Sequence, residues 1–388
     1  MLKNPLPNQI DDSSPIYEAV STVNVAVLAS VAVASGTAFV LSFLASFSLN
    51  QLLGMVKNIL MISHLPLLTI FVPALANMYL EVINAGLTFD FYDVSEYIQE
   101  IFDIKEDDAE IELEDNLVQL GYESGLMPMN FGTVMFIIFF QVIATVMLLT
   151  MGIFCCCKKC RKWVHGKIDG IFFNSILTVI DSIFILIVMT AAINVKLVTE
   201  GDLPINSSFY ASIFGLGVCF IELISVSIFL RVNISSLDEN RRTRRCGYIY
   251  EGLNFKIRGG KALVYPLLYQ LRFLILVYTV LYLQEYMVAE VLLITQVTIF
   301  MISVLGTVHP LQNIRMNYNE MASEAIVIIV LDLLLVATDP TIEPEKKNKV
   351  FSLSIISIIS LSILISVAKM IYNNFRMLKL VIIRCLIQ

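Results

Sequence analysis

Residues 350–371 read VFSLSIISIISLSILISVAKMI, an apolar run with no acidic residue and one basic residue, Lys369, near its end. As a helix rising 1.5 Å per residue, a run of this length spans about 33 Å, close to the thickness of the hydrocarbon core of a bilayer. A helix buried in a soluble domain needs only about 10 to 14 apolar residues. The run therefore predicts a transmembrane helix.

The composition of the whole chain agrees with this prediction. Of its 388 residues, 57% are hydrophobic and 15% are charged, whereas soluble domains have about 45 to 50% and about 25%. We predict an all-α, polytopic transmembrane bundle of about nine spans. The eighth has a short apolar core that also fits a re-entrant segment. The spans are predicted at residues 20–48, 59–83, 131–154, 170–195, 209–230, 263–283, 288–305, 325–337 and 350–371.

The lysines and arginines predict the orientation of the bundle, because cytoplasmic loops retain them during insertion. Nineteen of the 26 lie in or beside one alternate set of connecting segments, six lie on the other side, and Arg272 lies within a span. This distribution places the N-terminus outside and the C-terminus in the cytoplasm. The chain then divides into an extracellular tail, two spans, an acidic extracellular loop, the main helix bundle and a basic cytoplasmic tail, at residues 1–19, 20–83, 84–130, 131–371 and 372–388.

The extracellular loop carries a dense acidic cluster, formed by Asp103, Glu106, Asp107, Asp108, Glu110, Glu112, Glu114 and Asp115. Calcium is one ligand to consider, but the cluster lacks the spaced Asp-x-Asp-x-Asp-Gly pattern of a helix-loop-helix calcium site. A solvated, partly disordered loop fits the composition better. We predict no metal site and no cofactor.

Charged residues within the spans are the sharpest candidates for function, since each is costly in hydrocarbon unless paired, hydrated or neutralised. Asp181, Glu222, Arg272 and Asp332 each lie roughly 12 to 16 Å from the predicted cytoplasmic end of their span. We predict that they form an intramembrane polar centre, with Glu222 and Arg272 as its natural pair. Its surplus of acids would favour cations, whereas a network of ion pairs that only holds the helices in register is the alternative. Glu290 and Glu324 lie near span ends, where we expect them to reach the interface in a mostly structural role.

Two inner segments predict contact with membrane lipids. Cysteines beside basic residues directly after a span are candidates for S-palmitoylation, with unmodified thiols as the alternative. They lack the paired spacing of a zinc site. A run of arginines in the longest inner loop marks topology and is a candidate contact for anionic lipid. The cysteines are Cys155, Cys156, Cys157 and Cys160, and the arginines are Arg241, Arg242, Arg244 and Arg245.

Other classes of function find less support in the sequence. Hydrolase, kinase and phosphate-binding loop motifs are missing from the chain, so we predict that it is not an enzyme. The arginine run lacks interleaved aromatic residues and is tethered to a membrane, which argues against nucleic-acid binding. Asn206-Ser207-Ser208 is a sequon in a segment predicted to lie outside, so Asn206 is a candidate for glycosylation.

Several short motifs resemble the C-terminal membrane region of large ciliate surface proteins, which carry a TRP-like transmembrane domain related to fungal TRP-like and polycystin-type channels. Together these motifs cover most of the chain. They are residues 248–253 (YIYEGL), residues 265–268 (YPLL) with Arg272, residues 51–68 with the acidic loop that follows, and His309-Pro310 leading to Asn319-Glu320.

The resemblance implies a TRP-like membrane protein, a cation channel or a non-conducting relative, in the plasma or ciliary membrane and able to form oligomers. It also implies that Arg272 occupies the proline-then-arginine pattern of the family. Family members usually carry a long cysteine-rich ectodomain before the first span, so we expect this chain to be a shortened paralogue or a gene fragment. A membrane scaffold or receptor remnant without transport activity, and a lipid or solute transporter, remain the alternatives.

Overall fold

The computed structural model describes residues 18–23, 50–88, 95–102, 115–122, 124–131, 183–233 and 252–387, with a few isolated positions between them. These residues are all-helical apart from turns and one isolated bridge, Leu253 to Leu311. We number the helices of eight residues or more. They are α1 (Asn50–Ser63), α2 (Ala74–Thr88), α3 (Ser95–Phe102), α4 (Phe184–Glu200), α5 (Ser207–Asn233), α6 (Val264–Tyr282), α7 (Met287–Val308), α8 (Ile314–Ala337) and α9 (Ser352–Ile387).

The chain divides into two compact units. The first contains Met1–Leu87, Tyr282–Ser303 and Tyr318–Gln388, and the second contains Thr88–Leu281 and Val304–Asn317. The first unit therefore holds α1, most of α2, α7 and α8, and all of α9. The second holds α3 to α6.

Four helical segments within the described part are long and apolar enough to cross a membrane: Ser207–Ile228, Gly259–Tyr282, Met287–Val308 and Pro344–Lys369. They coincide with the spans predicted at residues 209–230, 263–283, 288–305 and 350–371, which are confirmed as helices of membrane length. The chain is thus a helical membrane protein. Polar residues fit these helices because their hydroxyls bond to carbonyls one turn earlier, as Thr298 Oγ1 does to Ile294 O at 2.8 Å.

Residues 59–83 do not form the single span that the hydropathy pattern predicts. Helix α1 ends at Ser63, a short 3-10 turn follows at Leu65–Leu67, and α2 begins only at Ala74. Pro66 and Pro73 explain the interruption, since proline lacks a backbone N–H and disfavours helical geometry in the residue before it. Ser63 Oγ donates to Asn84 Oδ1 at 3.2 Å, so the chain turns back on itself between the two helices.

The eighth predicted span is part of a longer helix. Helix α8 runs unbroken for 24 residues, from Ile314 to Ala337, which excludes the re-entrant alternative for this segment. Helix α9 likewise continues to Ile387, through the residues predicted as a separate basic tail. A short π-helical turn, Lys347–Phe351, precedes α9.

In the second unit, α4 and α5 pack against each other. Gly201 ends α4 in the left-handed conformation (φ 91°), and its N–H bonds to Leu197 O at 3.1 Å, a common helix ending. Ser212 Oγ then donates to Asn194 Oδ1 across the pair at 3.0 Å, and Asn194 Nδ2 donates to Gly125 O at 2.9 Å. A buried asparagine thereby ties two helices to the segment at residues 124–131.

Candidate functional site

Arg272 is the most unusual buried side chain of the second unit. It lies near the middle of α6, is only 1% exposed, and has its guanidinium carbon 6.0 Å from the centroid of the Tyr269 ring. Helix α6 forms most of a segment long enough to cross a membrane. Placing a guanidinium there is costly unless protein groups or water compensate its charge. Arg272 therefore lies inside a membrane-length helix and faces protein, as the sequence predicts.

Two of the predicted acids belong to the same unit. Glu222 lies on α5 within the membrane-length segment and is 8% exposed. Asp181, just before α4, is half-buried, and its Oδ1 accepts a long hydrogen bond of 3.5 Å from Gln270 Nε2 on α6. This bond brings Asp181 to the helix that carries Arg272. The pairing of Glu222 with Arg272 stays a prediction.

Asp332 differs from the other three predicted residues. It belongs to the first compact unit, and its side chain on α8 is exposed. The prediction of one centre formed by all four residues at a common depth remains untested.

The first unit contains a polar site that the sequence did not predict, at the interruption between α1 and α2. We call residues 64–73 the helix break. Thr69 lies within it, and both its backbone N–H and its hydroxyl donate to Glu290 Oε2, the N–H at 2.9 Å. Glu290 lies in the first turn of α7 and is 0% exposed. The carboxyl group of Glu290, on a membrane-length helix, thus accepts a hydrogen bond from a backbone N–H that has no helical partner.

Other side chains of the first unit accept hydrogen bonds from backbone N–H groups at the C-terminal end of the helix break. Phe71 N donates to Thr338 Oγ1 at 3.1 Å, just beyond the end of α8. Ala74 N donates to Asn348 Oδ1 at 3.4 Å, and Lys347 Nζ lies 5.1 Å from the centroid of the Phe71 ring. Each of these residues is at or near a helix end. Three helix ends therefore meet the break.

The expectation that Glu290 and Glu324 reach the membrane interface stays a prediction, but the structure buries both side chains against protein. Both side chains are 0% exposed. The position of these two residues near the end of a span did not decide whether their side chains are buried. A neighbouring segment can cover a helix end as easily as water can. The signal that could have found the site was Pro66 and Pro73 in an otherwise apolar stretch, which predicts unsatisfied backbone groups that need side-chain partners.

Asn206 has a clear local role. Its Oδ1 accepts a hydrogen bond from Phe209 N at 3.2 Å, which makes it the N-cap of α5. Ser208, the third residue of the sequon, is fully buried, and its hydroxyl accepts from Met127 N at 3.1 Å. Glycosylation of Asn206 stays a prediction.

Several predicted features lie outside the residues that the structure describes. They are most of the spans at residues 20–48 and 131–154, residues 170–182 of the fourth span apart from Asp181, and the acidic cluster apart from Asp115. The same holds for Cys155, Cys156, Cys157, Cys160, Arg241, Arg242, Arg244 and Arg245. Among the residues that are described, no group of three or more histidine, cysteine or acidic side chains is placed to hold a metal ion.

No protein-family model, no curated protein and no solved structure matches this chain.

Proposed function

We propose that this protein conducts cations across a membrane, as a channel of the TRP-like class in the plasma or ciliary membrane. The observation that carries the proposal is the burial of two ionisable side chains of opposite sign in the second unit, Glu222 at 8% and Arg272 at 1% exposure, each on a membrane-length helix. Ionisable residues inside a membrane are rare and typically mark ion pathways or proton relays.

The balance of charge supports cations over anions. Glu222 and Asp181 together outnumber Arg272, so a hydrated space lined by these residues would carry negative potential. The carboxylate oxygens would stabilise a partly dehydrated cation, while Arg272 would hold the acids in position. The proposed topology has the N-terminus outside, as the distribution of lysine and arginine favours.

A second candidate function is the coupled transport of a solute, which the helix break favours. Interrupted membrane helices with exposed backbone groups form the ion and substrate sites of many transporters. A scaffold without transport activity is the third possibility, in which Arg272 and its neighbours only hold the helices together.

Cation flux into vesicles separates these possibilities. The purified full chain is reconstituted into liposomes loaded with a potassium-sensitive or sodium-sensitive dye, and uptake is followed after a cation gradient is applied. A channel gives flux without any solute, and Glu222→Gln lowers it at least tenfold. Glu285→Gln is the matched control, because Glu285 is exposed just before α7. Flux that requires an added solute would favour the transporter. Absence of flux from folded protein would favour the scaffold.

A further inference from the structure

The two oxygens of Glu290 have different surroundings. Oε2 accepts two hydrogen bonds from Thr69, whereas Oε1 is buried and has no hydrogen-bond partner among the described residues. A buried polar atom without a partner is costly and rare in native proteins. A partner that the described residues do not supply is therefore expected at Oε1.

The two donors from Thr69 favour the ionised form of the carboxyl group. Hydrogen bonds donated to a carboxylate stabilise its negative charge relative to the protonated acid. Burial opposes the ionised form, so a positive charge at Oε1 would offset the cost of burying the carboxylate.

No lysine or arginine of the described residues provides this charge. Within the described part of the chain, no ion pair joins Glu290 to a basic side chain, and the cation beside the break, Lys347, lies over the ring of Phe71. Lys347 also acts electrostatically on Asp339, where it helps to lower the pKa of that exposed carboxyl. Its charge is therefore shared with groups other than Glu290.

The helix break supplies further oxygen atoms of the right kind. Among the described residues, the backbone carbonyls of residues 69–72 accept no hydrogen bond from a backbone N–H. The hydroxyl oxygen of Thr69 donates to Glu290 but retains lone pairs. Carboxylate, hydroxyl and carbonyl oxygens are the ligands of hard cations, and unwound helix carbonyls hold sodium ions in transporters.

We propose that Glu290 Oε1, the Thr69 hydroxyl and carbonyls of the helix break bind a single sodium ion. One carboxylate balances one positive charge, whereas a calcium ion usually takes several acidic ligands. The site lies in the first compact unit and does not rest on the conduction proposed for Glu222 and Arg272.

The test is direct binding of radioactive ²²Na⁺ to the full chain in nanodiscs, with choline replacing sodium to hold the ionic strength constant. We expect saturable binding that unlabelled sodium displaces and that calcium at equal concentration does not. Glu290→Gln should lower the binding at least tenfold, and Glu285→Gln should leave it unchanged. Thr69→Val, which keeps the backbone N–H but removes the hydroxyl, should lower it as well, and serves if Glu290→Gln fails to fold.

Three results would overturn the proposal. The first is a wild-type protein that shows no saturable ²²Na⁺ binding. The second is undiminished binding in a folded Glu290→Gln variant. The third is thermal stability that follows pH but not sodium concentration, since this would assign the site to a proton. Each readout is binding or stability, so the outcome is independent of whether the protein conducts ions.

Discussion

The carboxylate of Glu290 accepts a hydrogen bond of 2.9 Å from the backbone N–H of Thr69, a residue 221 positions earlier in the chain. The bond joins the first turn of α7 to an interruption in an apolar stretch that hydropathy alone assigns to one helix. Because buried backbone groups need partners, the interruption and the buried acid explain each other. Neither would be stable in hydrocarbon without the other.

Thr338 should be needed to hold the helix break. Its hydroxyl accepts from Phe71 N and donates to Leu334 O at 2.9 Å. Thr338→Val leaves the backbone N–H of Phe71 without this acceptor and should destabilise the protein by about 1 to 2 kcal/mol. Thermal unfolding in detergent measures the loss. Ser354→Ala is the control, because the exposed Ser354 hydroxyl donates to Val350 O, one turn earlier in the chain, and does not contact the helix break. Equal stability of both variants would count against the role of Thr338.

Gly215 should be the glycine of α5 that tolerates a side chain least. A Cβ there would lie 2.6 Å from Met127 Cε and 3.3 Å from Ile187 Cγ2, whereas a Cβ on Gly217 meets nothing within 4 Å. Gly215→Leu should therefore cost about 1 to 3 kcal/mol through overpacking. Gly217→Leu should cost less than half as much. Unfolding of the two variants side by side tests the packing of α4 and α5, and the reverse order would contradict it.

Removal of Arg272 should leave buried acid without its compensating charge. Breaking a buried ion pair by deleting one partner typically costs about 3 to 5 kcal/mol, and we expect Arg272→Ala to fall in this range. Arg272→Leu combined with Glu222→Leu should recover much of the loss, since both charges are then gone. Chemical unfolding of the single and double variants measures the difference. A double variant no more stable than the single would exclude the pairing of Glu222 with Arg272.

Asp339, in the loop after α8, should titrate below the normal range. The backbone N–H of Thr341 and its hydroxyl both donate to Asp339 Oδ1 at 2.8 Å and lower the pKa of the carboxyl. A pKa depressed in the folded state means stabilisation that is present above the unfolded value, about 3.9, and is lost as the pH falls through the folded value.

Carboxyl NMR of ¹³C-labelled protein in nanodiscs tests this shift. Thr341→Val removes the hydroxyl donor, so the midpoint of Asp339 should rise toward its ordinary value. Thr341→Ser keeps the donor and should leave the midpoint where it is. Equal midpoints in the wild type and Thr341→Val would show that the hydroxyl does not lower the pKa.

The four long apolar runs could be predicted because crossing a bilayer demands length and apolarity together, and both are visible in the sequence. The segment at 350–371 is the clearest case, and the structure extends its helix at both ends. The burial of Arg272 could be predicted too, since a charge within such a run is compensated only by facing protein or water.

The helix break could not be predicted in the same way. A hydropathy average over residues 59–83 hides two prolines among apolar neighbours, although Pro66 and Pro73 decide the local backbone. Helix α8 shows the opposite error. Its acidic residues Glu320 and Glu324 lowered the apparent apolarity of its first half, yet Glu324 is fully buried and Asn58 Nδ2 donates to Glu320 Oε2 at 2.9 Å. In both the helix break and α8, the hydrogen-bond partners of the polar groups lie far away in the sequence.

The reversal potential across a planar bilayer tests the central claim most directly, that buried acids in membrane-length helices make this protein a pathway for cations. With the purified chain incorporated and a tenfold gradient of potassium chloride imposed, we expect current whose reversal potential approaches that of potassium. Glu222→Gln should abolish the current and Glu285→Gln should preserve it. A reversal potential near that of chloride, or no current from protein shown to be folded, would contradict the account.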